Sequence, residues 1–395
     1  DYNILFPFVI TILFVAHPTH TEIVSSLKNR DELLSFLGAI ATLYFFIRYF
    51  ETGKISMGIL GLFIFLLAYL SKPTVIVFIP IYLLVLYFFT KPKTGQVMFF
   101  ILGVLVITYL ANFMPRLYLP KPDRPVQFIE NPLYYVDSFW VRAATGMSIL
   151  LFYLKMIIFP HPMVFYYGFD TIPITGWDNI WVIISFVIHL GLFIYAITKI
   201  REKHILSFGI LAYLVAVATF SNVFKLAMGI VADRFMYYPS LGFVIILAWI
   251  IFKLLKIDPK AQSINSKAIQ KILIVVILIL IPYAGKTITR NSQWKDQVTL
   301  LNADIDNAEN SAKANFIYAG TMKGEAMRMV STKSKPTNEI RKVIEDVDFH
   351  LDRAISIYPE YYQAWEMKGS LFITFFNDYD KSIKYFNKSL EIKEK

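Results

Sequence analysis

Cysteine is absent from the 395 residues, which removes disulfides, thiol nucleophiles and cysteine-ligated metal sites together and leaves the compartment open. Acids are outnumbered, 29 against 39 Lys and Arg, for a net charge of +10. This excess argues for no nucleic-acid partner, because the bases are spread over loops and a tail rather than gathered on one face. The apolar runs lack the buried midplane charges and paired helix breaks of a transporter. There is also no opening methionine or basic leader. Asp1 leads straight into an apolar segment, 4–15, that is too short to span a bilayer, so residues upstream of it are expected.

What is present is apolar. Hydrophobic residues make up 56% of the chain and aromatics 16%, more than a water-soluble globule of this length could hide in one core. The composition is that of a polytopic helical membrane protein. A bilayer core takes about 20 apolar residues per helix, and segments 33–50, 57–70, 75–89, 97–114, 180–197, 205–224, 241–252 and 272–283 read that way, some extended by polar flanks.

One segment decides the topology. Between Arg142 and Lys155 lie twelve uncharged residues, a length better suited to an interfacial or re-entrant helix than to a span. If it does not cross, loops 51–56, 91–96, 198–204 and 253–271 share one side. They carry Lys54, Lys91, Lys93, Lys199, Arg201, Lys203, Lys253, Lys256, Lys260, Lys267 and Lys271, and such a surplus marks the cytoplasmic side. The opposite, external side then gathers residues 17–32, 71–74 and 115–179, the loop KLAMGIVADRFMYYPS and the whole tail. Its acids include Asp123, Glu130, Asp137, Asp170 and Asp178.

On that side the polar stretch HPTHTEIVSSLKNRDE, His17 to Glu32, is wedged between apolar segments. Ionisable groups at a membrane boundary are expensive and usually have a task. The plain reading is a loop whose histidines and acids cap the next helix. His17 and His20, three apart, could share a helical face as metal ligands, but Pro18 between them disfavours a regular helix. Asp233 and Arg234 read equally as a structural salt bridge, Tyr237 as an interface aromatic, and His189 as a packed core residue.

From Arg290 the chain turns charged and soluble. YQAWEMKGSLF and DYDKSIKYFNKSLEI place Trp365, Gly369 and Phe372, then Ile383, Phe386, Ser389 and Leu390, at the packing positions of a tetratricopeptide helix pair, with one extra residue between the helices. SAKANFIYAG and DFHLDRAISIYPE read as an earlier pair, with Ala314, Ala319, Ala354 and Pro359 in place and an enlarged turn around VSTKSKPTNEI. About three repeats are needed for a stable stack, so two must lean on the membrane domain or on further repeats. The expected division is a membrane domain over 1–289 and a soluble repeat tail over 290–395.

These features lead to a resemblance. HPTHTEIVSSLKNRDELLSFL resembles the HP.HTE.V....R.ELL stretch of the transmembrane and tetratricopeptide repeat-containing O-mannosyltransferases, which are GT-C glycosyltransferases. SNVFKLAMGIVADRFMYYPSLGF and RNSQWKDQVTLLNADIDNAENSAKAN resemble two further segments of the same family. The resemblance implies a GT-C-like helical membrane domain that takes a sugar, often mannose, from a polyprenyl-phosphate donor to Ser/Thr hydroxyls of a protein or peptide acceptor, with the tail presenting that acceptor. The membrane would be the plasma membrane in a prokaryote and the endoplasmic reticulum in a eukaryote. Guanidinium groups suit a lipid-linked phosphate. Arg30 and Arg234 are the candidates, with Lys72 a third; Glu22, His17 and His20 would order them or move protons, and Asp233 would fix Arg234. Tyr237 would support the sugar. The family's catalytic carboxylate falls in a loop expected before Asp1, which leaves Glu22 as the substitute, and Pro73 replaces the acid of the family's SKE turn, weakening an ion pair at Lys72. Some GT-C enzymes use a divalent cation, the one candidate cofactor. A non-catalytic membrane-anchored repeat scaffold is the alternative.

Overall fold

The computed structural model describes residues 2–118, 126–169, 171–332 and 337–394. Asp123 and Asp170 lie outside the described residues, as do 333–336 of the enlarged turn. The described chain is helical. Its first part comprises α1 (Leu5–Val15), α2 (Thr21–Ser25), α3 (Arg30–Thr52), α4 (Ile55–Ser71), α5 (Phe78–Phe89) and α6 (Thr94–Tyr118). There follow α7 (Phe139–Ile158), α8 (Ile180–Thr198), α9 (Ile205–Ala218), α10 (Tyr237–Leu254) and α11 (Ser266–Gln293). Side-chain caps set several starts: Asn179 accepts from Trp181 N–H ahead of α8, and Asn265 from Ala268 N–H ahead of α11. Gly53, left-handed at φ 70°, ends α3.

Six of these segments are long and apolar enough to cross a membrane, and a seventh forms if α1 and the following turn, bent by 52°, count as one. The most apolar stretches of α6, α8 and α11 are only 11%, 22% and 17% buried. Helices apolar on all sides yet little buried have lipid as their solvent. Two expected boundaries move. Segment 205–224 stops being helical at Ala218, because Asn222 turns left-handed at φ 60° and its amide binds Ile230 O at 2.8 Å. The 272–283 run grows in both directions into α11, since its polar flanks continue the helix from the Asn265 cap.

Contacts sort the connectors into two ends. At one, Asn3 N–H donates to Pro259 O (2.8 Å), Lys203 lies over the Tyr87 ring and Gln96 binds Tyr49 O (2.9 Å), so the basic loops cluster together. At the other, Glu22 meets Arg234 and Asn131 Nδ2 donates to Asn222 Oδ1 (2.9 Å). Helix α7 has the length and apolarity of a span and packs on α8, whose Ser185 donates to Met147 O, while both its termini meet connectors of this second end. Trp177 Nε1 donates to Trp140 O, Thr175 N to Thr145 Oγ1, and His17 Nε2 pairs with Ile157 O.

Helices α9 and α10 approach most closely where glycines face each other. A Cβ on Gly242 would sit 2.4 Å from Tyr213 N and 2.7 Å from Gly209 O, both backbone atoms that cannot rotate away. Gly242→Ala is therefore expected to destabilise the bundle by about 1–3 kcal/mol, read as a lower unfolding midpoint in detergent.

The tail comprises α12 (Gln297–Asp304), α13 (Ala312–Thr332), α14 (Thr337–Ile357), α15 (Tyr362–Leu371) and α16 (Tyr379–Lys393), with α13/α14 and α15/α16 packed as hairpins. Ala314, Ala319 and Ala354 are fully buried, and Gly369 abuts the Phe386 ring. Ile383 and Leu390 are instead exposed. A π turn over Phe372–Phe376 and the left-handed Asn377 absorb the extra residue and rotate α16, so that Ser382 and Ser389 bind Gly369 O and Tyr362 O in their place. The tail core includes Ile129, with Phe165 and Phe169 against it, and Lys313 pairs with Glu130 at 2.7 Å. The two hairpins thus rest on the connectors of the membrane part.

Candidate active site

The stretch 17–32 folds as short turns, not one helix: Pro18–His20 is a 3-10 turn entered from His17, whose ring accepts from Thr19 N–H. This breaks the shared face that a two-histidine metal site needs. The rings lie 5.6 Å apart, and their Nε2 atoms are taken up separately, His17 on Ile157 O (2.9 Å) and His20 on Ser240 Oγ (2.9 Å). Among the described residues no group of three or more His, Asp or Glu side chains converges as metal ligands. The side chains present therefore do not fit a bound divalent cation. Both histidines act as buried struts that fasten the stretch to α7 and α10.

Glu22 occupies the first turn of α2, buried, with both carboxylate oxygens engaged. Arg234 Nη1 donates to Oε1 at 2.6 Å and Arg234 N–H to Oε2 at 2.9 Å. The partners are 212 residues apart in sequence. Asn29, also buried, donates weakly to the same residue. The Arg234 guanidinium stacks on Phe235 with its carbon 4.9 Å from the ring centre. Its Nε and Nη2 donate to none of the described residues and the side chain is 27% exposed, which leaves part of the fork open to a further acceptor.

Asp233, expected to hold Arg234, turns away and accepts from the Tyr167 hydroxyl at 2.5 Å. Adjacent residues in this 3-10 turn point in different directions, so neighbours in sequence do not pair. Burial first, then the nearby Asp233 carboxylate, pushes the Tyr167 phenol well above its ordinary range, which keeps it protonated as a donor. Lys72 corrects a second expectation. Despite Pro73 it is fully ion-paired, at 2.6 Å from Asp31 and 3.4 Å from Glu32. The acid that its own turn lacks is supplied by the start of α3. Glu32 also accepts from Tyr238 (2.6 Å) and Thr74 (3.2 Å). Arg30, first residue of α3, is exposed and meets no acid among the described residues. Tyr237 is buried edge-on to His20, 4.7 Å between centroids, as packing under the cluster.

Three groups escaped sequence reasoning. Tyr167 is one aromatic among many in the sequence, and Glu32 stood only as a member of a charged stretch. Arg290 marked a boundary; it is in fact buried inside α11 with a bidentate ion pair to Asp304, Nη2 to Oδ2 at 2.8 Å, while Asp304 also accepts from Phe165 N–H at 2.6 Å. The RN..W spacing was the available signal for the last.

A helical bundle that crosses a membrane, with an ion-paired polar cluster at one end and helical hairpins docked over that end, defines a polytopic membrane protein with a surface-facing site. The chain is similar to curated protein O-mannosyl-transferases. A Caenorhabditis elegans protein O-mannosyl-transferase is 26% identical over 317 residues, 80% of this chain and 42% of the relative. Protein O-mannosyl-transferase TMTC1 of Mus musculus is 22% identical over 68% of this chain and 27% of its own length. The chain thus spans less than half the length of these relatives. No family model and no solved structure matches it.

Proposed function

We propose that this chain forms the membrane domain and first repeats of a glycosyltransferase that moves mannose from a polyprenyl-phosphate donor to Ser/Thr hydroxyls of proteins. The site would face the exterior of the cell or the lumen of the endoplasmic reticulum, opposite the basic loops. One observation carries the reading: the two most specific resembling segments, 17–37 and 221–243, lie far apart in the chain yet meet in the Glu22–Arg234 ion pair, with Tyr238–Glu32 and His20–Ser240 beside it.

In this reading the open part of the Arg234 fork binds the donor phosphate. As the acceptor oxygen forms its bond to the sugar C1, the C1–O bond to phosphate breaks and charge grows on the leaving group. A fixed guanidinium stabilises that charge more than the ground state and costs no reorganisation. Glu22 is a positioning residue, because both its oxygens are committed to Arg234. The hydroxyl proton needs a base other than the engaged carboxylates Glu22, Asp31, Glu32 and Asp233. Arg30, unpaired at the head of α3, adds a second cation for the phosphate. The docked tail would hold an extended acceptor segment.

The test uses full-length protein in nanodiscs with radiolabelled polyprenyl-phosphate mannose and a Ser/Thr-rich acceptor. Wild type is expected to transfer label, and Arg30→Ala to lower turnover about tenfold, the worth of one charge-assisted contact. Absence of transfer from every lipid-linked sugar tried would favour the repeat scaffold instead.

A further inference from the structure

Besides Arg30, two cations near the candidate site meet no acid at ion-pair distance among the described residues. Lys155, near the C-terminal end of α7, and Lys286, toward the C-terminal end of α11, converge on His161. Lys286 Nζ lies 3.2 Å from His161 Nδ1, and Lys155 Nζ donates to His161 O. Neither ammonium meets a carboxylate among the described residues. The acid that both feel electrostatically, Asp233, is buried and held by Tyr167. The imidazole sits outside the spans, and slight burial followed by the charges of Lys286 and Lys155 lowers its proton affinity. At neutral pH it is therefore an uncharged acceptor beside two positive groups, and the acids that act on them from a distance, Asp233 on both and Asp304 on Lys286, are already bound by Tyr167 and Arg290.

The surroundings are apolar and outward-facing. Fourteen uncharged residues separate Lys271 from Lys286, so Lys286 marks where the apolar length of α11 ends. Next to the lysines, Ile158 and Phe159 are 58% and 62% exposed, and on α11 Ile281 and Ile288 are 63% and 69% exposed. A polar anion free in water would gain nothing from such flanks. A ligand with an anionic head and a hydrocarbon chain would satisfy both halves, its chain lying on the isoleucines and Phe159 and its oxygens between the ammonium groups.

We propose that Lys155, His161 and Lys286 form a binding site for the phosphate head of a membrane lipid, separate from the Glu22–Arg234 cluster. Two lysines as point charges, rather than a guanidinium fork, suit a head group that must enter and leave from the bilayer side. The site stands whether or not the chain transfers sugar, since it rests only on the membrane character of α11.

The experiment measures binding without catalysis. Full-length protein in phosphatidylcholine nanodiscs is titrated with a fluorescent polyprenyl phosphate, with phosphatidic acid, and with inorganic phosphate, beside the double variant Lys155→Gln/Lys286→Gln. Neither lysine is buried, and glutamine removes the charge while keeping a polar, unbranched side chain, so an unchanged unfolding midpoint certifies the fold. Wild type should bind at least one of the two lipids, and the double variant should bind it about tenfold or more weakly, as expected for two lost charge-assisted contacts. Preference for polyprenyl phosphate identifies a carrier-lipid site, and preference for phosphatidic acid a bulk-lipid site; both support the proposal. Equal lipid binding by wild type and double variant, or saturation by inorganic phosphate alone, overturns it.

Discussion

Arg234→Ala is expected to abolish mannosyl transfer and to lower stability by about 2–4 kcal/mol. The stability loss comes from Glu22, whose side chain is 8% exposed and would keep a buried charge with its strongest partner gone. Breaking a buried pair costs about 3–5 kcal/mol; the 27% exposure of the arginine side chain lets water recover part of it. Loss of activity alone would not separate misfolding from chemistry, so Arg234→Lys is the decisive companion. A lysine keeps the charge beside Glu22 but cannot offer one donor to the carboxylate and a planar pair outward. It should retain most of the stability and still lower turnover by about tenfold or more, because the contact removed is made to the leaving phosphate. Wild-type turnover in Arg234→Lys, at wild-type protein level, would remove Arg234 from the chemistry.

Arg290→Ala is expected to be the most destabilising single change. Its side chain and that of Asp304 are only 5% and 2% exposed, so truncation strands a carboxylate in the interior at about 3–5 kcal/mol. The damage is directional. Asp304 lies at the end of α12 and also holds Phe165 N–H, so loosening it unfastens the tail from both α11 and the 159–169 connector. Limited proteolysis should cut earliest near α12 while the spans remain protected. Asp304→Asn should cost less, since a neutral amide leaves a hydrogen-bonding partner for the guanidinium. Uniform proteolysis along the chain would show that the pair does not fasten the tail in particular.

The membrane character was legible because apolar runs of span length have few other solvents, and helices α3, α6, α8, α10 and α11 appear where hydropathy put them. Ends were less legible. In TFSNVF apolar and polar residues mix without a glycine or proline to announce that α9 has stopped; the break comes with a left-handed asparagine whose amide binds Ile230 O. The candidate cluster was half legible. The structure brings Glu22 and Arg234 together and pairs Lys72 with Asp31, whereas the expected pairing of Asp233 with Arg234 does not form. Proximity in sequence suggested Asp233 for Arg234, whereas the fold chose an acid 212 residues away in the chain and gave Asp233 to Tyr167. Pairings between distant connectors depend on the directions of side chains leaving short turns, which no periodicity encodes. The Arg290–Asp304 pair was hidden for a similar reason: a charged residue in a helix that leaves a membrane looks like the onset of solvent until its partner, 14 residues on, folds back over it.

That pair, with Phe165 N–H on the same carboxylate, has a mechanical meaning. It leaves little room for a swivel between the bundle and the hairpins, so the tail is a bracket rather than a tether. On the proposed function, a polypeptide lying along such a bracket would be held at a set distance from the Glu22–Arg234 cluster, and its hydroxyls would pass the cluster at a spacing set by the protein, not by the acceptor's own slack. Sugar would then be written onto an acceptor at a fixed interval from the segment the hairpins grip, a ruler whose zero mark is the knot around Asp304.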